Sequence, residues 1–84
     1  MSKRKPDPPE FDGKAAAAAL PLAPGVYRML NADDGVLYVG KARALRNRVG
    51  SYFNATPKPT RIMAMLAQVA RLEVTVTRSE ADAL

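Results

Sequence analysis

Residues 24–53, PGVYRMLNADDGVLYVGKARALRNRVGSYF, decide how this chain folds. Two apolar runs, Gly25 to Leu30 and Val36 to Gly40, flank Asn31-Ala32-Asp33-Asp34-Gly35, and Asp-Gly between such runs signals a β-hairpin. A helix is predicted to follow at once, because Leu45, Val49, Tyr52 and Phe53 recur at i, i+4, i+7 and i+8 and form one apolar face at the 3.6-residue period.

Each predicted strand carries one tyrosine, Tyr27 and Tyr38. Side chains alternate along a strand, so loop parity decides whether the two rings share a face. A four-residue loop puts them together, with Tyr27 across from Tyr38 or Gly40; a loop of three or five residues puts them on opposite faces. On the helix, Lys41, Arg48 and Tyr52 are expected to line up, Arg48 and Tyr52 being four apart and Lys41 seven before Arg48. The expected result is two phenols, a lysine, an arginine and a third phenol around one small surface.

Outside this stretch the chain is short and simply organised. At 84 residues it is one domain with a small core. Residues 1–11 hold three prolines among mixed charges and read as a disordered tail, with the folded domain over 12–84. Asp12 is a plausible N-cap for an alanine-rich helix reaching Leu20, where Pro21 and Pro24 stop it. After the hairpin and first long helix, residues 54–60 form a turn-rich connector with one cation, Lys58. Ile62, Met65, Leu66 and Val69 then fall on one helical face, and Met63 and Met65 are read as core or near-core residues. Leu72 to Thr77 alternates, giving a half-buried strand with Leu72, Val74 and Val76 inward. An isolated hairpin is rarely stable, so this strand should join it. The fold class is therefore α/β (α+β): a small three-stranded antiparallel sheet with flanking helices. Ser79 and Asp82 have capping-box spacing and announce a third helix at Glu80, cut short by Leu84.

Charge points toward phosphate. Thirteen Lys and Arg against eight Asp and Glu give a net +5, and the excess sits in residues 24–58, with six bases and two acids. Lys41, Arg43, Arg46 and Arg48 place four cations in eight residues with no acid between them, as a nucleic-acid surface requires. A solvated helix face is the alternative. The chain has no Cys and no His, which excludes disulfides, thiolate chemistry, a zinc site of the usual ligands and a histidine base. Catalysis would have to use Tyr, Lys, Arg and carboxylates. No apolar run approaches the ~20 residues of a membrane span, and the default expectation is a cytoplasmic location.

Gly25-Val26-Tyr27, Tyr38-Val39-Gly40-Lys41, Arg48 and Ser51-Tyr52-Phe53 resemble the GIY-YIG nuclease family, here in its GVY and YVG form. The surrounding PGVYRM, LYVGKA, SYF and VTVTRSEADAL resemble the branch at the N-terminus of the excinuclease C subunits of bacterial nucleotide excision repair, over about 11–84. The resemblance implies a DNA endonuclease that cuts 3′ of a lesion presented by a UvrB-type partner within the excinuclease complex. It implies catalytic roles for Tyr27 (general base, or orienting the water), Tyr38 and Lys41 (positioning and assisting it) and Arg48 (transition-state charge). Tyr52 would bind the phosphate or shape the site, with Arg43, Arg46 and Gly40 also at the substrate. It further implies one Mg²⁺ or Mn²⁺ held by a glutamate of the third helix, a position falling just beyond Leu84, so that this chain is expected to lack the ligand and not to bind the metal itself. Glu80 and Asp82 belong to a first helical turn, where acids favour the N-terminus, and Asp33 and Asp34 read as turn residues. From the residues alone, Tyr27 and Tyr38 are half-buried strand aromatics. The competing readings are a nucleic-acid-binding module without catalysis, needing the cations but not the tyrosines, and a protein-interaction module, whose DNA affinity would not fall with salt.

Overall fold

The computed structural model describes residues 11–78. The proposed tail over residues 1–10 and the third helix from Ser79 lie outside the described residues. Six elements follow one another: α1 (Gly13–Ala18), β1 (Gly25–Leu30), β2 (Val36–Ala42), α2 (Leu45–Phe53), α3 (Thr60–Leu66) and β3 (Arg71–Val76). The strands form one antiparallel sheet in the order β2-β1-β3. β1 is central because it is the strand buried along most of its length. No described helix is long and apolar enough to cross a membrane.

The hairpin solves the parity problem in a way that loop counting does not foresee. Five residues, 31–35, connect β1 to β2, since Leu30 pairs with Val36. Alone, that would split the tyrosines. Between Met29 and Leu30 the register shifts: Met29 faces Tyr38 while Leu30 faces Val36, leaving Leu37 as an extra bulged residue. One odd loop and one bulge cancel. Tyr27 is opposite Gly40, and Tyr27, Met29, Tyr38, Gly40 and Ala42 share one face. Leu37 packs against the core. In the turn, Asn31 Oδ1 accepts from the backbone N–H of Asp33 (2.9 Å) and of Gly35 (2.8 Å). The positive φ needed there, 65°, falls on Asp34 and not on Gly35; aspartate is one of the few side chains to tolerate it.

The core forms where α2 lies on that face. Leu45 and Val49 are fully buried, and Tyr52 and Phe53 pack against them, as the periodicity predicts. Beside them lie Ala17, Tyr27, Met29, Ala42 and Val69. Burying each large aliphatic side chain is worth about 1.5–3 kcal/mol.

α1 braces α2 from outside the sheet. Asp12 caps it, its carboxylate accepting from Ala15 N–H at 3.0 Å, and the helix ends at Ala18, two residues before the expected Leu20. Phe11, assigned to the tail, instead meets Phe53 edge to face with centroids 5.8 Å apart. The backbone N–H groups of Leu45 and Arg46 donate to Ala23 and Pro21 carbonyls. These bonds satisfy donors that a helix start leaves without partners and that uncapped Ala44 cannot serve.

Three further expectations are corrected. Lys41 lies on β2, paired with Val26, because the strand runs on to Ala42 before α2 begins. Met63 is 57% exposed and Val76 53% exposed, so neither joins the core. α3 ends at Leu66, yet Val69 beyond it is buried. Leu72 and Val74 pack inward as predicted.

Candidate active site

Three tyrosines form a near-equilateral triangle over the middle of the sheet. Tyr27 comes from β1, Tyr38 from β2 and Tyr52 from the last turn of α2, and each pair of ring centroids is 6.1 Å apart. The hydroxyls of Tyr27 and Tyr52 are hydrogen-bonded at 3.1 Å. Tyr27 is 1% exposed, whereas Tyr38 is 39% exposed on the open edge strand. The triangle thus runs from a buried phenol to one in contact with solvent.

Gly40 makes this arrangement possible. It faces Tyr27 across the strands, and a Cβ there would fall 2.4 Å from the Tyr27 hydroxyl oxygen and 2.5 Å from Cζ. The Tyr27 ring lies over a strand position with no side chain, and only glycine leaves that space.

Burial drives the Tyr27 phenol well above its ordinary value of 10.0; the hydrogen bond with Tyr52 and the proximity of Tyr52 and Tyr38 push the same way, and the Arg48 guanidinium opposes them. The Tyr38 phenol is also raised, chiefly by the neighbouring Tyr52 hydroxyl, with Tyr27 and Arg48 acting the other way. Lys41 contributes to neither. Arg48 is therefore the cation that acts on the cluster, and at neutral pH both phenols carry their protons.

An open groove of about 550 Å³ continues from Arg48 along the start of α2, lined by Ala42, Arg43, Ala44, Asn47, Arg48 and Ser51. Asn47 and Ser51 were not foreseen. Their signal was present in the spacing 47 and 51, four apart on one face of α2, directly after Arg43 in the connection from β2. Ser51 Oγ donates to the Arg48 carbonyl at 2.6 Å.

The four cations of the basic run separate. Arg48 and Arg43 line the groove. Arg46 instead donates from Nε to the Leu20 carbonyl at 2.8 Å, tying the α1–β1 connection to α2. Lys41 is paired with Val26, one step out of phase with Tyr27 and Tyr38. Alternation puts it on the opposite sheet face, not on a helical stripe with Arg48 and Tyr52.

The described carboxylates lie elsewhere. Asp12 caps α1, Asp33 and Asp34 sit in the hairpin loop, and Glu73 pairs with Arg28 and Arg71. Among the described residues no group of three or more acidic, His or Cys side chains could hold a metal ion. Residues 11–78 alone do not fit a divalent cation.

Comparison with known proteins places this geometry. The UvrABC system protein C of Stenotrophomonas maltophilia (strain K279a) is 72% identical over 76 residues, which is 90% of this chain and 12% of that protein. The UvrABC system protein C of Xanthomonas campestris pv. campestris (strain B100) is 72% identical over 75 residues, covering 89% and 12%. The chain thus spans about an eighth of these curated relatives. The crystal structure of the GIY-YIG N-terminal endonuclease domain of UvrC from Thermotoga maritima, bound to its catalytic magnesium, superposes with a TM-score of 0.72 at 32% identity, over 82% of this chain and 74% of that one. A Tyr→Phe point mutant of the same domain, also bound to the cation, matches with a TM-score of 0.71 at 30% identity over 82% and 73%. Residues 23–84 match the model of the UvrC-like GIY-YIG domain, and with the sheet order and the three tyrosines in place the chain belongs to that family.

Proposed function

We propose that this chain is the endonuclease module of a nucleotide excision repair protein, hydrolysing a DNA phosphodiester 3′ of a lesion in a metal-dependent reaction. A UvrB-type partner would present the damaged strand within the excinuclease complex. The observation that carries this reading is the tyrosine triangle with Arg48 acting on it.

Phosphodiester hydrolysis needs a placed water and a counter-charge for the crowded phosphorane. Arg48, with its planar fork, suits the non-bridging oxygens. Tyr27 holds its proton tightly, so in this state it orients the water or donates to a phosphate oxygen and is a poor base. Tyr52 fixes the Tyr27 hydroxyl, and exposed Tyr38 meets the substrate from the edge strand. Arg43 extends the phosphate contact along the groove. Arg46 and Gly40 act indirectly in this scheme, through the seating of α2 and of Tyr27. Lys41 would have to reach the substrate around the open edge of β2. Metal dependence would require a divalent cation held by groups outside residues 11–78, since among the described residues no acidic cluster fits one.

The test is DNA affinity against salt. Arg48→Ala should lower the slope of log K on log salt by about 0.9 in magnitude, the share of one phosphate contact, and Arg46→Ala should leave the slope unchanged. Incision of a lesion-bearing duplex with the UvrB-type partner should be lost in Tyr27→Phe while DNA affinity stays within a few-fold of wild type. Full incision by Tyr27→Phe would remove Tyr27 from the reaction, whereas salt-sensitive DNA affinity with no incision by the wild-type protein would favour the non-catalytic nucleic-acid-binding reading.

A further inference from the structure

We propose that the loop between α2 and α3 receives one unstacked nucleobase of the bound strand, in a pocket that shares Tyr52 with the tyrosine triangle. The inference rests on the phosphate-binding reading above and extends it from the DNA backbone to a base.

The pocket measures about 220 Å³, and its walls include Tyr52, Asn54, Thr56, Lys58, Met63 and Leu66. That is the volume of about seven waters at ~30 Å³ each, enough for one planar heterocycle but not for a nucleotide with its sugar. Its rim is already set. Lys58 Nζ donates to Thr56 O (2.6 Å), Asn54 Oδ1 (2.9 Å) and Asn54 O (3.1 Å), and Thr56 N–H donates to Asn54 Oδ1 (3.0 Å). An ammonium has three donors, and all three are spent on the loop. Lys58 is thus a strut of the pocket and not a spare phosphate contact, and a loop held in place loses little entropy when a ligand arrives.

Two side chains give the pocket surfaces on which a planar ring can stack. Tyr52 places its hydroxyl on Tyr27 and belongs to the pocket wall, so a phosphate at the hydroxyl end has its own base within reach of the ring. Met63 stands 57% exposed on the pocket side of α3, a polarizable thioether suited to the face of a heterocycle. Stacking of this kind accepts any base, so the contact should be indifferent to base identity.

Small ligands of defined register provide the test, observed by NMR on the 84-residue chain. Deoxyribose 5-phosphate, dAMP and dTMP should all shift the Arg48 and Tyr27 signals, but only the two nucleotides should shift the Met63 methyl and Thr56 amide. Both nucleotides should bind at least about fivefold more tightly than the sugar phosphate, the lower end of a base–aromatic stack, and Met63→Ala, at an exposed position, should erase most of that advantage. If all three ligands shift Arg48 but the nucleotides gain nothing and Met63 stays still, the pocket is overturned and the phosphate reading stands. If Arg48 responds to none of them, both fall.

Discussion

On one face of the sheet, Tyr27, Met29, Gly40 and Ala42 lie beneath α2, and a phenol 1% exposed holds its hydroxyl against another at 3.1 Å. On the other face, Arg71 joins Asp34 at 2.8 Å and Glu73 at 2.9 Å, and Arg28 reaches Glu73 at 3.6 Å and Thr75 Oγ1 at 3.1 Å. Both faces carry polar networks across strands. They differ in access to water. Beneath α2 a displaced hydroxyl has no solvent to replace its partner, so proton affinity and geometry are both sensitive to small changes. On the outer face water substitutes for any lost contact, and the ion pairs trim the surface without governing the fold.

The largest expected effect that would break this contrast is at Gly40. Gly40→Ala must displace the Tyr27 ring or the strand, because its Cβ would lie 2.4 Å from the phenolic oxygen. A loss of about 1–3 kcal/mol is expected, read from the urea midpoint. An unchanged midpoint would mean that the tyrosine face yields as freely as the outer one.

A smaller effect should appear in alkali. The folded Tyr27 phenol is raised above its ordinary value of 10.0, so above that pH the unfolded chain releases a proton that the folded chain keeps. The stability tied to the neutral phenol is therefore complete below about 10 and drains as pH rises toward the folded value. Between pH 9 and 11 the midpoint of the wild-type chain should fall more steeply than that of Tyr27→Phe; parallel curves would show that the phenol is not held neutral by its surroundings.

The smallest effect belongs to the outer face. Arg71→Ala removes the contacts to Asp34 and Glu73 together, yet should cost under about 1 kcal/mol and leave DNA affinity unchanged apart from the lost charge. A loss of 2 kcal/mol or more by the same measurement would indicate that this network holds the hairpin tip, where Asp34 adopts its φ of 65° (a threshold set by the one- to three-kilocalorie cost of such strain).

Much of this architecture is legible in neighbouring residues. β1 ends at the residues where its apolar run ends, α2 buries the Leu45 and Val49 stripe, and Asp12 caps α1. What local reading misses has a common cause. Loop length alone predicts the tyrosines on opposite faces, because nothing near the turn announces the bulge at Leu37. Lys41 looks helical by spacing from Arg48, but strand pairing with Val26 captures it first. Arg46 looks like its neighbours in the basic run until the Leu20 carbonyl, 26 residues away, takes its Nε.

By itself, then, the sequence determined the hairpin, the amphipathic α2 and the concentration of cations and phenols in residues 24–53, since turn chemistry and periodicity act over a few residues. Only the tertiary structure decided that Tyr27 and Tyr52 share a hydrogen bond, that Arg48 and not Lys41 acts on the phenols, and which cations are already committed. Those outcomes depend on where water is excluded and on which acceptor lies nearest in space, and neither exists until the sheet and α2 have closed on each other.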